Sequence, residues 1–210
     1  MAIICPTVTS ETLEGYNKQL KLVSKFCERV HIDLGDGVFT PNKLVDINQI
    51  WLPEKQIVDI HLMYQSVAPY IDKIIELKPH LLVMHAESNG EFNMVAEQLK
   101  NSGISVGVAL LQDTPVSMIK PAISLIDHVL IFSGDLGHFG GNAKLTLLSK
   151  VRELKKLKST LEIGWDGGIN TENTPRLVLG GVDVLNVGGG IHNQTDPEAA
   201  YDKLKALAGK

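Results

Sequence analysis

A single (β/α)8 TIM barrel is the fold this sequence predicts, and three observations carry it. Eight short runs rich in Val, Ile and Leu recur along the 210 residues. Most are continuous rather than alternating, as strands of a parallel sheet buried on both faces tend to be. Stretches with helical spacing separate several of them, which is the pattern of a helix-covered parallel barrel. An open doubly wound sheet of this length usually holds fewer strands. No linker, low-complexity tract or shift in composition divides residues 1–210, so one domain is expected.

The candidate strands are, in order, "AIICPTV", "RVHIDLG", "IVDIHLM", "HLLVMHA", "ISVGVALL", "DHVLIFS", "LEIGWDG" and "DVLNVGG". Amphipathic helical spacing appears over 66–78, 90–101, 145–157 and 197–207. Two helices carry explicit boundary signals. "TENTPRLVLGG" puts Pro175 in a first turn and ends on Gly180 and Gly181, while "TDPEAAYDKL" offers Asp196 as N-cap with Pro197 behind it. After "HIDLGDG" only 46–51 has helical character, so a short helix and a long loop are expected there.

A chain with 44% hydrophobic and 21% charged residues reads as a soluble globular protein, and its length is enough for an ordinary core. The formal net charge of -4 argues against nucleic acid as a main partner, since that role normally requires a basic face. Any anionic substrate must then be held locally. The two cysteines, Cys5 and Cys27, have neither metal-site spacing nor the crowding of a secreted disulfide scaffold. Cys5 is expected to fill core. The start "MAIICPTVTS" lacks a basic leader region, and no apolar segment approaches a membrane span. The expected location is cytoplasmic.

Reactive residues of such barrels come from the C-terminal ends of the strands. His31 and Asp33 stand near the end of the second strand, His61 of the third, His85 of the fourth, and Asp166 ends the seventh. Residues two apart on a strand share a face, so His31 and Asp33 both point into the barrel mouth. With His61 and Asp166 they form a four-ligand N/O set suited to one divalent metal ion, Zn, Fe(II), Mn or Co. A single His or Asp at a strand end is often merely hydrogen-bonded to a loop. Four at one rim are costly to bury without a cation to offset them.

Glycines follow the last three strands: Gly140 and Gly141 in "SGDLGHFGGN", Gly167 and Gly168 in "DGGIN", Gly188 and Gly189 in "NVGGGIH". Tight turns alone need glycine, but their shared placement favours a phosphate pocket built from backbone N–H groups. His85 reads equally well as a satisfied core histidine. Asp36, followed by Gly37, is expected to shape the loop after the second strand. His138 would contact a ligand if its loop folds over the site. Trp165 should point away from the mouth, under the helices.

The order of "CPTVTS", "HIDLGDGVFTPN", "DIHLM", "VMHAES", "GVALLQDTP", "SGDLGHFGG", "DGGIN" and "VLNVGGGI" resembles the ribulose-phosphate 3-epimerase family over nearly the full length. The resemblance implies that His31, Asp33, His61 and Asp166 hold the metal and that Asp33 and Asp166 are the acid/base pair. It implies interconversion of D-ribulose 5-phosphate and D-xylulose 5-phosphate by two-base proton transfer at C3 through an enediolate. Thr7 stands where the family usually has serine, Met63 keeps part of the usual soft lining, and the glycines match phosphate-binding loops. Gly35 and Phe132 replace family methionines, the sixth-strand loop has Asp135, Leu136 and an additional residue near His138, and "GGG" replaces Gly-Ser-Ala.

Those departures touch substrate identity more than reaction type. They leave open another ketose phosphate such as allulose 6-phosphate, or a noncatalytic sugar-phosphate-binding relative. A Schiff-base aldolase would need a lysine at an inner strand end, and none of the eight supplies one. The expected partner is a small ketose phosphate, with no nucleic acid and no membrane; exposed apolar helix faces are where a homo-oligomer would form.

Overall fold

The computed structural model describes residues 1–90, 92–134, 136 and 141–209. Eight parallel strands close into a barrel in chain order: β1 (Ile3–Thr9), β2 (Arg29–Gly35), β3 (Ile57–Met63), β4 (Leu81–His85), β5 (Ser105–Leu110), β6 (His128–Phe132), β7 (Glu162–Asp166) and β8 (Val184–Val187). The barrel expected from the sequence is therefore the one observed. Around it lie α1 (Leu13–Val23), α2 (Ile71–Leu77), α3 (Phe92–Asn101), α4 (Leu148–Leu157), α5 (Thr174–Leu179), the single-turn α6 (Gly189–His192) and α7 (Pro197–Ala208). No helix among the described residues is long and apolar enough to cross a membrane.

The boundary signals act as their chemistry dictates. Asp196 Oδ1 accepts from Ala199 N at 3.0 Å and starts α7, and Pro175 sits in the first turn of α5, which stops at Gly180. Helix α1, for which the pattern gives no clear reading, is capped by Thr12, whose hydroxyl accepts from Gly15 N at 3.1 Å. Two connections depart from a strict strand–helix alternation. Residues 46–51 form a turn, not the short helix expected, because Val45, Ile47 and Ile50 plug into the core from a loop whose backbone is held at Asp46, where Oδ1 accepts from Asn48 N. Between β5 and β6 the chain makes 3-10 turns over Val116–Ala122, with Pro121 inside them denying an α-helical donor.

Alternation along each strand divides the core in two. Val30, Ile32 and Leu34 of β2, Ile60 and Leu62 of β3, and Ile163 and Trp165 of β7 pack outward under the helices in one large cluster. Trp165 thus faces away from the mouth, as expected. Alternate residues of the strands point inward, where, among the described residues, Leu81 and Val83 of β4, Ala109 of β5 and Leu130 of β6 form a small apolar cluster. Much of the remaining interior is ionisable, and the register pairs it strand to strand: His31 lies beside Asp59, Asp33 beside His61, and Phe132 beside Asp166.

Candidate active site

The C-terminal mouth holds a cavity of about 310 Å³ lined by residues from β1, β2, β3, β6, β7, β8 and their loops. Thr7, Met63, Gly141, Gly167, Gly168, Gly188 and Gly189, all expected at the site, line it. So do the two carboxylates, Asp33 and Asp166. His31 and His61 are buried beneath, at 1% and 0% exposure. Gly140 and His138, also expected near the ligand, lie outside the described residues, as does Asp135.

Glycine is obligatory at two of these positions. Gly167 and Gly168 have φ of 103° and 71°, and a Cβ there would stand 2.2 Å from Gly134 N and 2.1 Å from Ala143 N. The loop after β7 therefore crosses the loop after β6 backbone to backbone, closing one wall of the cavity. Asp36 shapes the opposite wall as expected: Oδ1 accepts from Val38 N and Phe39 N at 2.8 Å each, and Oδ2 from Gln65 N at 2.7 Å.

His31, Asp33, His61 and Asp166 converge, each offering a donor atom, with all four atoms within 4.8 Å of one another. Asp33 is the hub. Its Oδ2 accepts from the Thr9 hydroxyl at 2.5 Å, and its Oδ1 lies 2.9 Å from His61 Nδ1 and 3.2 Å from His31 Nε2. The last distance is short enough for a hydrogen bond but not aligned for one, so the buried His31 Nε2 has no hydrogen-bond partner among the described residues. It stands 3.9 Å from Asp166 Oδ2.

The electrostatics of the two carboxylates diverge. Burial alone would raise the Asp33 pKa, but the imidazoles of His31 and His61 outweigh it and hold the group far below the usual carboxylate range. Burial, reinforced by the charge on Asp33, pushes Asp166 up to about 7. Burial also takes His61 down to about 4, against the opposing pull of Asp33. For His31, burial works downward but Asp33 and then Asp166 raise the pKa overall.

These residues fit a divalent cation. Ligands about 2.0–2.2 Å from one ion lie at most about 4.4 Å apart, so a small inward shift brings the four donors onto it. An orphaned imidazole nitrogen facing two carboxylates is what an ion would satisfy. The donor set, two nitrogens and two oxygens, suits a borderline first-row ion without selecting one.

Three polar groups at the site escaped sequence reasoning. Thr9 orients Asp33. Asn186, buried on β8 beside Asp166, lines the cavity with its Oδ1 unpartnered among the described residues. Glu87 lies beyond His85, whose Nε2 is 2.9 Å from His61 Nε2 and whose Nδ1 is 3.3 Å from Glu87 Oε2. His85 is thus both satisfied and adjacent to the cluster.

A closed (β/α)8 barrel with a buried His/Asp cluster at its C-terminal mouth defines a class of cation-competent barrel proteins. Within that class, residues 3–192 match the model of the ribulose-phosphate 3 epimerase family. The chain belongs to this family, which makes it an isomerase of the carbohydrate-epimerase kind. It is 28% identical to the ribulose-phosphate 3-epimerase of Bacillus subtilis (strain 168) over 215 residues, covering 98% of this chain and 99% of that one. To the ribulose-phosphate 3-epimerase of Aquifex aeolicus (strain VF5) it is 31% identical over 185 residues, 85% of this chain and 83% of that one. Among solved structures, 3-hexulose-6-phosphate synthase from Salmonella typhimurium superposes with a TM-score of 0.76 over 98% of each chain at 14% identity, a likeness of fold alone.

Proposed function

We propose that the protein is a metal-dependent 3-epimerase interconverting D-ribulose 5-phosphate and D-xylulose 5-phosphate, with Asp33 and Asp166 as the proton carriers. The observation that supports this most is the convergence of those two carboxylates, from β2 and β7, on one buried cavity. His31, Asp33, His61 and Asp166 would hold the ion. When bound, a divalent cation supplies a Lewis acid that stabilises negative charge developing on the ketose oxygens.

The chain's own residues do the rest. One carboxylate removes the C3 proton, and the other returns a proton to the opposite face, so configuration inverts. The hydroxyl of Thr9 keeps Asp33 aimed into the cavity, and Met63 and Phe132 bring apolar surface to the wall that excludes water. Backbone N–H groups of Gly141, Gly167, Gly168, Gly188 and Gly189 are the donors for the phosphate.

The test is epimerisation of ribulose 5-phosphate by the purified protein in deuterated water, with chelator or with added Zn, Fe(II), Mn or Co. Metal-dependent xylulose 5-phosphate carrying deuterium at C3 is expected. A hexulose phosphate turned over with much higher kcat/KM would move the assignment to that substrate. Ligand binding without C3 exchange by the metal-loaded protein would make this a binding relative.

A further inference from the structure

We infer that Glu87, acting through His85, fixes the single proton of His61 on Nε2, so that its Nδ1 lone pair faces Asp33 and the cation site. Glu87 and His85 are then positioning residues rather than core filling. The inference rests on the metal-dependent reading, because the cation takes the place of a proton between His61 and Asp33.

The argument starts from Glu87, two residues past the end of β4. Its Oε1 accepts from Leu111 N at 3.0 Å and from the Thr114 hydroxyl, both in the loop after β5. Lys150 of α4 clamps that loop, donating from Nζ to the carbonyls of Leu111, Gln112 and Thr114 at 2.7 Å each. The carboxylate is thereby fixed, with Oε2 directed at His85 Nδ1. Phe39 packs on the His85 ring with centroids 4.6 Å apart.

Glu87 and Asp33, at the two ends of the chain, are both acceptors, and two neutral imidazoles supply two N–H groups for three contacts. A cation can stand in for the missing proton only at the Asp33 end, which assigns the proton of His85 to Nδ1. A neutral imidazole has one N–H; His85 Nε2 is then a bare acceptor. The atom 2.9 Å from it is His61 Nε2, which must therefore be the donor. That leaves His61 Nδ1 bare, 2.9 Å from Asp33 Oδ1, another acceptor. Two lone pairs at that distance repel, and a cation bound between them removes the conflict. The polarity of the whole chain, Glu87 to His85 to His61, thus presents His61 as a ready metal ligand, an arrangement common behind ligating histidines.

Glu87→Gln tests the polarity with almost no change in shape. Leu111 N and the Thr114 hydroxyl still require an acceptor, so the Gln oxygen stays with them and its NH2 turns to His85. The proton of His85 should move to Nε2 and that of His61 to Nδ1, blocking the lone pair. Long-range proton–nitrogen NMR of the Zn(II)-loaded protein reads the tautomers, and titration with Co(II) reads affinity.

Wild-type protein should show His85 protonated on Nδ1. Glu87→Gln should invert it and weaken Co(II) binding by about 10–100-fold. Thr114→Val keeps the carboxylate and should leave the tautomers unchanged and Co(II) affinity little altered. Wild-type His85 protonated on Nε2, unchanged Co(II) affinity in Glu87→Gln, or equal loss in Thr114→Val would overturn the inference. Wild-type protein that binds neither Zn(II) nor Co(II) would refute the metal-dependent reading and the inference with it, whereas metal binding indifferent to Glu87→Gln refutes the inference alone.

Discussion

At the lower end of the barrel interior, Arg29 donates from Nε to Asp59 at 2.7 Å and from its two terminal nitrogens to both oxygens of Glu162 at 2.8 Å. His128 Nδ1 approaches Glu162 at 2.8 Å. Two residues further along β2 and β3 stand His31 and His61, and β7 reaches Asp166 after Gly164. The same strands therefore carry ionisable groups at both ends, but in opposite states. Below, a guanidinium pairs with both carboxylates, holding Glu162 by both oxygens and Asp59 by Oδ2, with Asp59 Oδ1 lacking a hydrogen-bond partner among the described residues. Above, Asp33 and Asp166 are brought together with no Lys or Arg between them, and His31 Nε2 is left without a hydrogen-bond partner among the described residues. A chain gains stability from the first arrangement and loses some to the second, which is the usual mark of a site kept for function.

The largest effect should come from breaking the upper end. Asp33→Asn and Asp166→Asn each remove a proton carrier and are expected to lower turnover about 10²–10⁴-fold. Asp166→Asn should not lower the denaturation midpoint of the metal-free protein, because burial and Asp33 disfavour that charge. Asp33→Asn should lower it, because the imidazoles of His31 and His61 favour the carboxylate. Steady-state kinetics beside urea unfolding decides this, and a stability loss in Asp166→Asn as large as the activity loss would erase the contrast between the two ends.

How much of this was legible in the sequence follows from the range of the forces involved. The eight strands were legible because a strand buried on both faces is apolar in every residue. Among the exceptions, His31, Asp33, His61 and Asp166 stood out against that background at the strand ends and proved to be neighbours. The loop over 46–51 misled because Ile47 and Ile50 are buried from irregular backbone, which imitates one face of a helix. Helix α1 was hidden by Gly15 in its first turn and its mixed composition. Glu87 had no local signal, since its partners Leu111 and Thr114 lie more than twenty residues away and meet it only once β4 and β5 pair. Thr9 was likewise unreadable until β1 lay beside β2.

Breaking the lower end should give the reverse result. Arg29→Met leaves Asp59 buried beside an uncharged side chain and strips Glu162 of its partner. A stability loss of about 3–5 kcal/mol is expected, and each kcal/mol corresponds to about 2–4 °C in Tm for a domain of this size. Turnover per folded molecule should stay near that of the wild type. A smaller loss should follow Gly164→Ala, whose Cβ would stand 2.5 Å from His128 Nε2 and 2.8 Å from its Cε1. Displacing that ring from Glu162 is expected to cost about 1–3 kcal/mol, measured by urea unfolding.

The smallest effect, and the sharpest on mechanism, is the acid dependence of stability contributed by Glu162. Burial would raise its pKa, but the hydrogen bonds from Arg29 and then His128 reverse this and hold the carboxyl well below its ordinary range. Its folded pKa is thus lower than its unfolded value of about 4.3. The folded state binds fewer protons than the unfolded state in that window, so stability rises with pH there. The contribution is fully present above the unfolded value and is lost as pH falls through the folded one. Glu162→Gln should therefore lower stability at neutral pH and flatten its decline in acid, with the gap to wild type closing as the pH drops. Because Glu162 is partly exposed, solvent screens the interaction and the effect should be modest. Unfolding midpoints measured from pH 7 down to pH 3 read it directly: a gap that stays constant across that range would mean that Glu162 holds the lower end by packing, not by its charge.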